Sequence, residues 1–267
     1  MGANVKALKS RIRSVDSTLH LTRAMGLVAS SKIRRASEAM NNGREFAKAF
    51  EKVIALLAAC PESARSPYMT VRESGKTMLM VIAGDRGLAG GYNANVFRLT
   101  ETLGAQEILP VGKRSCDRYH KPFVSSEHFS TQNAREMAEK VCQMFVDGEM
   151  DRFGIVSTKY HSMMSQEAVV TWILPLEKTE AQESTGVVFE PDEQTILNAT
   201  VVDYVAGMMM CCVKESFASE VAARRMAMDS AGKNAQTMID NLQLQYNRAR
   251  QGAITQEITE IVAGSGS

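Results

Sequence analysis

The chain has 267 residues, of which 45% are hydrophobic and 23% charged, with a formal net charge of +1. That balance is ordinary for a folded globular protein and supplies no global attraction to nucleic acid. No run approaches eighteen consecutive apolar residues, so direct membrane insertion is not expected. Cys60, Cys116, Cys142, Cys211 and Cys212 are odd in number and lack C-x-x-C spacing, which suits a reducing compartment better than a disulfide framework. His20, His120, His128 and His161 form no metal-ligand pattern, and no bound metal or cofactor is expected.

The N-terminal MGANVKALKSRIRS is basic and amphipathic, but it has neither the apolar segment nor the cleavage site of a signal peptide. Asp16 and unbroken heptads argue against a mitochondrial presequence. Lys6 stands where a myristoylation motif wants Ser or Thr. From Val5 through Leu8, Ile12, Val15, Leu19, Thr22, Gly26, Ala29, Ile33, Ala36, Met40, Gly43, Ala47, Phe50 and Ile54 to Leu57, apolar or small residues recur in steps of three and four. This predicts a helix over 1–59 with one stripe facing a partner helix. Around Thr22, Gly26 and Ala29 the stripe narrows, allowing close backbone approach. Gly26 and Gly43 each cost roughly 1 kcal/mol against Ala, which close packing or bending must offset. The opposite flank carries Lys6, Lys9, Arg11, Arg13, Arg23, Lys32, Arg34 and Arg35. A solvated face is the ordinary reading of such a run. An acidic partner surface is the sharper one, and nucleic acid ranks below both because no aromatics are interleaved.

CPESARSPYMTVRESGK breaks the helix and reads as a linker over 60–76. Its ESGKT imitates the end of a phosphate loop, but the required earlier glycine falls at Thr70 and the motif precedes a strand, so the match is by chance. TMLMVIAG reads as a strand, DRGLAGGYNAN as a glycine-rich loop, and the stretch carrying Val96, Phe97, Leu99 and Leu103 as an amphipathic helix. A strand at EILPVG, helices over Arg114–His120 and Thr131–Asp147, and strands at RFGIVSTKY and EAVVTWILPL complete a small Rossmann-like three-layer α/β domain, placed at 77–176. Its glycines Gly84, Gly87, Gly90 and Gly91 do not fit G-x-G-x-x-G, and VGKR is basic where a ribose-binding acid would stand. Tight backbone packing accounts for them better than a dinucleotide. Asp85 and Arg86 either pair locally or face a partner.

A loop and foot segment is placed at 177–193, a helix at 194–262 and a flexible tail at 263–267. At 1.5 Å per residue the last helix would span roughly 100 Å, far beyond a globule of this chain length. The N-terminal helix, running antiparallel in a coiled coil, is the obvious cover. VAGMMMCCV is apolar all round, so Val205–Val213 should be enclosed by the inserted domain as well. Near the end, Leu242, Tyr246, Ala249 and Ala253 make a stripe beside exposed Arg248, Arg250, Gln251, Thr255 and Glu257. The tip is predicted to be a single helix that needs a surrounding sleeve.

Three stretches carry a family resemblance: LKSRIRSVDSTLHLTRAMGLVASSKIRRA, GDRGLAGGYNAN, and SEVAARRMAMDSAGKNA with LQYNRARQGAITQEITEIVAG. The chain resembles the γ-subunit family of rotary F-type ATP synthases over nearly its whole length. Ala89 stands where many members have Cys, and Arg225 where the family usually has Met. The resemblance implies a non-catalytic central stalk inside a ring of three α and three β subunits. Rotation of a membrane c-ring, driven by proton or sodium flow, would be coupled to the β catalytic sites. It further implies contact with an ε subunit and a peripheral location on the cytoplasmic face of a bacterial cell membrane. Arg23, Met25, Arg34 and Arg35 would face acidic β segments, and Arg224, Arg250, Gln251, Thr255 and Glu257 would affect coupling. Ile254, Ile258 and Ile261 would ride in an apolar bearing, and Phe189 and Glu190 would meet the c-ring at the foot. Plainer roles compete: Met25 as filler of the stripe, Thr255 as a local cap. Two other functions compete with the shaft: a nucleotide-binding enzyme built on the α/β insertion, and a generic coiled-coil tether.

Overall fold

The periodic N-terminal stretch forms α1 (Ala3–Ala59), and the long C-terminal run forms α5 (Glu193–Gly264). The computed structural model describes residues 3–72, 75–178 and 189–264, without the side chains of Ala3, Asn4 and Glu257. The start of ESGKT, most of the 177–193 loop and the last three residues of the tail lie outside that description. Where the tail was expected at 263, α5 continues to Gly264. The chain partitions into two compact units, Lys32–Ala223 and Met1–Ser31 with Arg224–Ser267. Segments of α1 and α5 belong to both.

In the larger unit the linker is not bare coil. Its two prolines open short 3-10 turns, Pro61–Arg65 and Pro67–Met69, and Tyr68 enters the core. β1 (Thr77–Ile82), α2 (Tyr92–Leu103), β2 (Glu107–Val111), α3 (Lys113–Tyr119), α4 (Thr131–Val146), β3 (Arg152–Tyr160) and β4 (Gln166–Leu174) follow in order. They build a four-stranded sheet ordered β2-β1-β3-β4, with β2 and β3 parallel to β1 and β4 antiparallel to β3. β1 is apolar on both faces because both are covered. Met78, Met80 and Ile82 face one cluster with α4, α1 and α5, while Leu79 and Val81 face a second with Val96 of α2. α4 begins in a capping box in which Ser130 and Asn133 exchange side-chain and backbone bonds.

The first cluster merges insertion and helices. Ile54 and Leu57 of α1, Phe145 of α4, Phe153 and Ile155 of β3, and Leu197, Val201, Val205 and Met209 of α5 are buried together. None of Val205–Val213 is exposed, as the all-round apolar pattern predicts. By length and composition α5 does contain a stretch apolar enough to cross a bilayer. Counting uninterrupted apolar residues misses it, and its buried side chains are those of a core helix. Here α1 and α5 run antiparallel: Phe50 stacks on Tyr204 at 6.1 Å, Phe46 lies over Gly207, and the Cys211 thiol donates to the Gly43 carbonyl at 3.0 Å.

Within the smaller unit the two helices again run antiparallel. Small residues bring them close: a side chain at Gly232 would lie 3.6 Å from Thr22 Oγ1. Leu19, Thr22, Gly26 and Ala29 are buried, and Arg225 Nη1 donates to the Gly26 carbonyl at 3.0 Å. Every predicted stripe residue of α1, from Val5 to Leu57, is buried or half-buried.

Gly112 sits at φ +88° between β2 and α3, and a Cβ there would drive into the Ala83 carbonyl. Gly104 has φ +59° but open space around it. Gly112→Ala should therefore destabilise by more than about 3 kcal/mol, whereas Gly104→Ala should lose only about 1–2 kcal/mol of backbone strain. Thermal melts of the two purified variants check the difference; equal melting temperatures would contradict it.

Candidate functional site

The glycine-rich loop after β1 is held from below and from the side. Gly84 N–H donates to Asn93 Oδ1 at 2.9 Å, and Leu88 and Gly90 take positive φ, at 61° and 58°. A Cβ on Gly84 would lie 2.7 Å from the carboxylate of Glu220, which is only 3% exposed. The required glycine thus answers to close approach by a helix side chain. Leu88, bulky and in the left-handed region, is 63% exposed.

Asp85 and Arg86 both find partners in the distant turn at Ser125–Glu127. The Asp85 carboxylate accepts from Ser125 Oγ at 2.5 Å and from the N–H groups of Ser126, Glu127 and Lys113 at 3.0, 3.1 and 3.0 Å. Glu127 is in turn bonded by Lys32 of α1 and lies 3.6 Å from Arg86. Burial works to raise the Asp85 pKa, but the four donors outweigh it and leave the group below its ordinary 3.8. At Glu127 burial is likewise outweighed, by the Lys32 bond and charge and by the Arg86 and His128 charges, so its pKa falls below 4.5. This carboxylate relay latches the glycine-rich loop, the loop before α4 and the lower part of α1. The sequence left Asp85 and Arg86 either to pair locally or to face a partner, and pointed to neither Glu127 nor the Ser125 turn. Their only signal is Ser-Ser-Glu in an otherwise featureless loop.

The expected contact residues fall into distinct settings. Arg23 is exposed and reaches Gln236 Oε1 at 3.4 Å, and Met25 is half-buried. Arg23 borders a cleft of about 490 Å³ lined by Thr22, Gly26, Arg225, Met228 and Lys233 among others. Arg224 is half-buried on α5. Arg34 and Arg35 are exposed on α1, with Arg34 only 3.9 Å from Glu38 in a loose pair along its own helix. Every described side chain from Arg250 to Gly264 except that of Ala253 is exposed, including Ile254 at 44%, Ile258 at 57% and Ile261 at 70%. Thr255 Oγ1 donates to the Gln251 carbonyl at 3.0 Å, the local cap foreseen as its plainer role. Glu257 lies on the same stretch, its side chain outside the described residues. Phe189 packs half-buried against the main core, and Glu190 beside it is exposed.

A family profile described as ATP synthase matches residues 4–267. The chain is 37% identical over 277 residues to the ATP synthase gamma chain of Moorella thermoacetica, covering 98% of each. It is 39% identical over 282 residues to that of Ruminococcus albus, again covering 98% of each. Among solved structures, it superimposes with a TM-score of 0.69 on a chain of the Euglena gracilis mitochondrial ATP synthase (OSCP/F1/c-ring), at 17% identity, covering 98% of this chain and 94% of that one. A chain of the Tetrahymena thermophila mitochondrial ATP synthase central stalk and c-ring gives 0.59 at 21% identity, covering 79% and 99%. At these identities the structural matches speak to the fold.

The Asp85 and Glu127 shifts fix an acid dependence. Because both pKa values are depressed in the folded state, their contribution is complete above the unfolded values of about 4 and is lost as pH falls through the folded ones. Asp85→Asn should cost about 1–3 kcal/mol near neutrality, from donors left poorly matched. It should also flatten the fall in melting temperature between about pH 5 and pH 3. Melts across that range decide it, and parallel wild-type and variant curves would refute the latch.

Proposed function

Because the chain belongs to the ATP synthase gamma-chain family, we propose that it is the central shaft of a rotary ATP synthase, enclosed by three α and three β subunits and seated on a membrane c-ring. The observation that carries this reading is kinship at 37–39% identity along 98% of both chains. A single shaft in a threefold ring presents a different side to each β subunit. It therefore acts as a ligand with unequal affinity for the β conformers, and turning it moves that preference around the ring. Ion flow turns the c-ring in synthesis, and hydrolysis drives the shaft in reverse. The chain contributes no catalytic group of its own.

The residue roles follow the family resemblance. Arg23, Met25, Arg34 and Arg35 face acidic β segments, while Arg224, Arg250, Gln251, Thr255 and Glu257 adjust coupling. Ile254, Ile258 and Ile261 are the apolar bearing, a role supported by their exposure on a bare tip, where water alone would be a poor neighbour. Phe189 and Glu190 form the foot that meets the c-ring, a role supported at Glu190 by its exposure. An ε subunit completes the stalk, and the assembly sits as a peripheral sector on the cytoplasmic face of a bacterial membrane.

Reconstitution with α and β subunits should give a complex in which a probe on the inserted domain rotates when ATP is added. A complex that hydrolyses ATP while the probe stays still would overturn the shaft. Truncation from Gly252 should weaken coupling and leave the melting of residues 32–223 unchanged; equal loss of both would contradict the bearing role.

A further inference from the structure

β3 outlasts its neighbour. The parallel ladder with β1 ends at the Val81–Val156 pair, while on its other side β3 stays paired with β4 as far as Tyr160–Gln166. Successive residues of a strand aim their backbone groups to alternate sides, so beyond the end of β1 the N–H and C=O groups of Thr158 and Tyr160 lose a ladder partner. Thr158 is only 3% exposed and cannot turn to water instead.

Helix side chains take over the ladder. Thr158 N–H donates to Ser216 Oγ at 3.0 Å, and Ser219 Oγ donates to the Thr158 carbonyl at 3.0 Å. Tyr160 N–H donates to Glu215 Oε1 at 3.0 Å, and Arg44 Nη2 donates to the Tyr160 carbonyl at 2.6 Å. Arg44 and Glu215 pair with each other at 2.6 Å, so α1 and α5 are joined through the same contact. Tyr92 of α2 adds a bond from its hydroxyl to the Ser216 carbonyl at 3.0 Å. Serines are poor helix-interior residues because they compete for backbone groups. Here Ser216 and Ser219, both fully buried, direct that competition at another element.

We propose that Arg44, Glu215, Ser216 and Ser219 are the torsional anchor of the inserted domain, positioning residues that pass rotation between the sheet and the paired helices. The assignment rests on the shaft reading above. A twist applied to the insertion loads its junction with α1 and α5 in shear. Apolar contact is non-directional and resists sliding only through its shape, whereas hydrogen bonds of fixed geometry in a dry interior lose energy as soon as they are displaced.

The test uses the complex reconstituted with α and β subunits, with a bead on the inserted domain, and reads the angular variance of the stalled rotor, which varies inversely with torsional stiffness. In Ser216→Ala/Ser219→Ala the variance should rise about twofold, as expected if two of the four backbone stitches carry roughly half the stiffness additively. Exchange of the Thr158 amide should accelerate about tenfold, one hydrogen bond's worth of local protection. Glu215→Gln, which keeps an acceptor for Tyr160, should remain stiffer than Glu215→Ala. If the double variant fails to assemble, Ser219→Ala alone, which frees only a carbonyl, carries the same measurement. A wild-type complex that does not rotate would sink the shaft reading. A rotating wild type whose variants melt lower with unchanged angular variance would leave the shaft intact and overturn the anchor.

Discussion

The middle of α5 has to be hidden from water, and that constraint organises the larger unit. From Leu197 to Val213 this helix buries side chains on more than one flank, so a single partner helix cannot cover it. The sheet, α4 and the second half of α1 close around it in one core that holds Phe145, Phe153 and Leu57 together. The α/β elements are therefore not an independent domain hung on loops. Their hydrophobic stability and that of the surrounding helices are one quantity, and loosening either exposes the other.

Because that shared core is apolar, the polar groups it traps reveal what else had to be satisfied. Thr158 and Tyr160 need backbone partners where β1 stops, and they find them on α5 and α1. The glycine-rich loop needs its tight path fixed, and Glu220 fills the space beneath Gly84 while Asp85 gathers the Ser125 turn. In each case a side chain from a distant part of the chain completes a backbone that its own neighbourhood leaves unfinished.

Much of this was legible in sequence, and the missing parts share a cause. Periodicity placed α1 and its buried stripe from Val5 to Leu57, since a repeated spacing needs no knowledge of the partner, and a long run without proline or turn clusters placed α5. Short apolar runs placed all four strands, β3 among them at Arg152–Tyr160. The exposed tip with Ile254, Ile258 and Ile261 was legible because no α1 residue remained to cover it. Glu220, Ser216 and Glu127 were not, because a lone polar residue carries no spacing and its meaning lies in which loop or strand end folds over it. Phe189, assigned to the foot by resemblance, lies half-buried against the main core.

The naked end of α5 also says something about biogenesis. A helix end displaying Ile254, Ile258, Ile261 and Val262 to solvent is sticky, and it has too few tertiary contacts to resist fraying or protease. A newly made copy without its ring is thus a client for chaperones and a seed for aggregation. In the assembly proposed above, the surrounding subunits supply the missing walls.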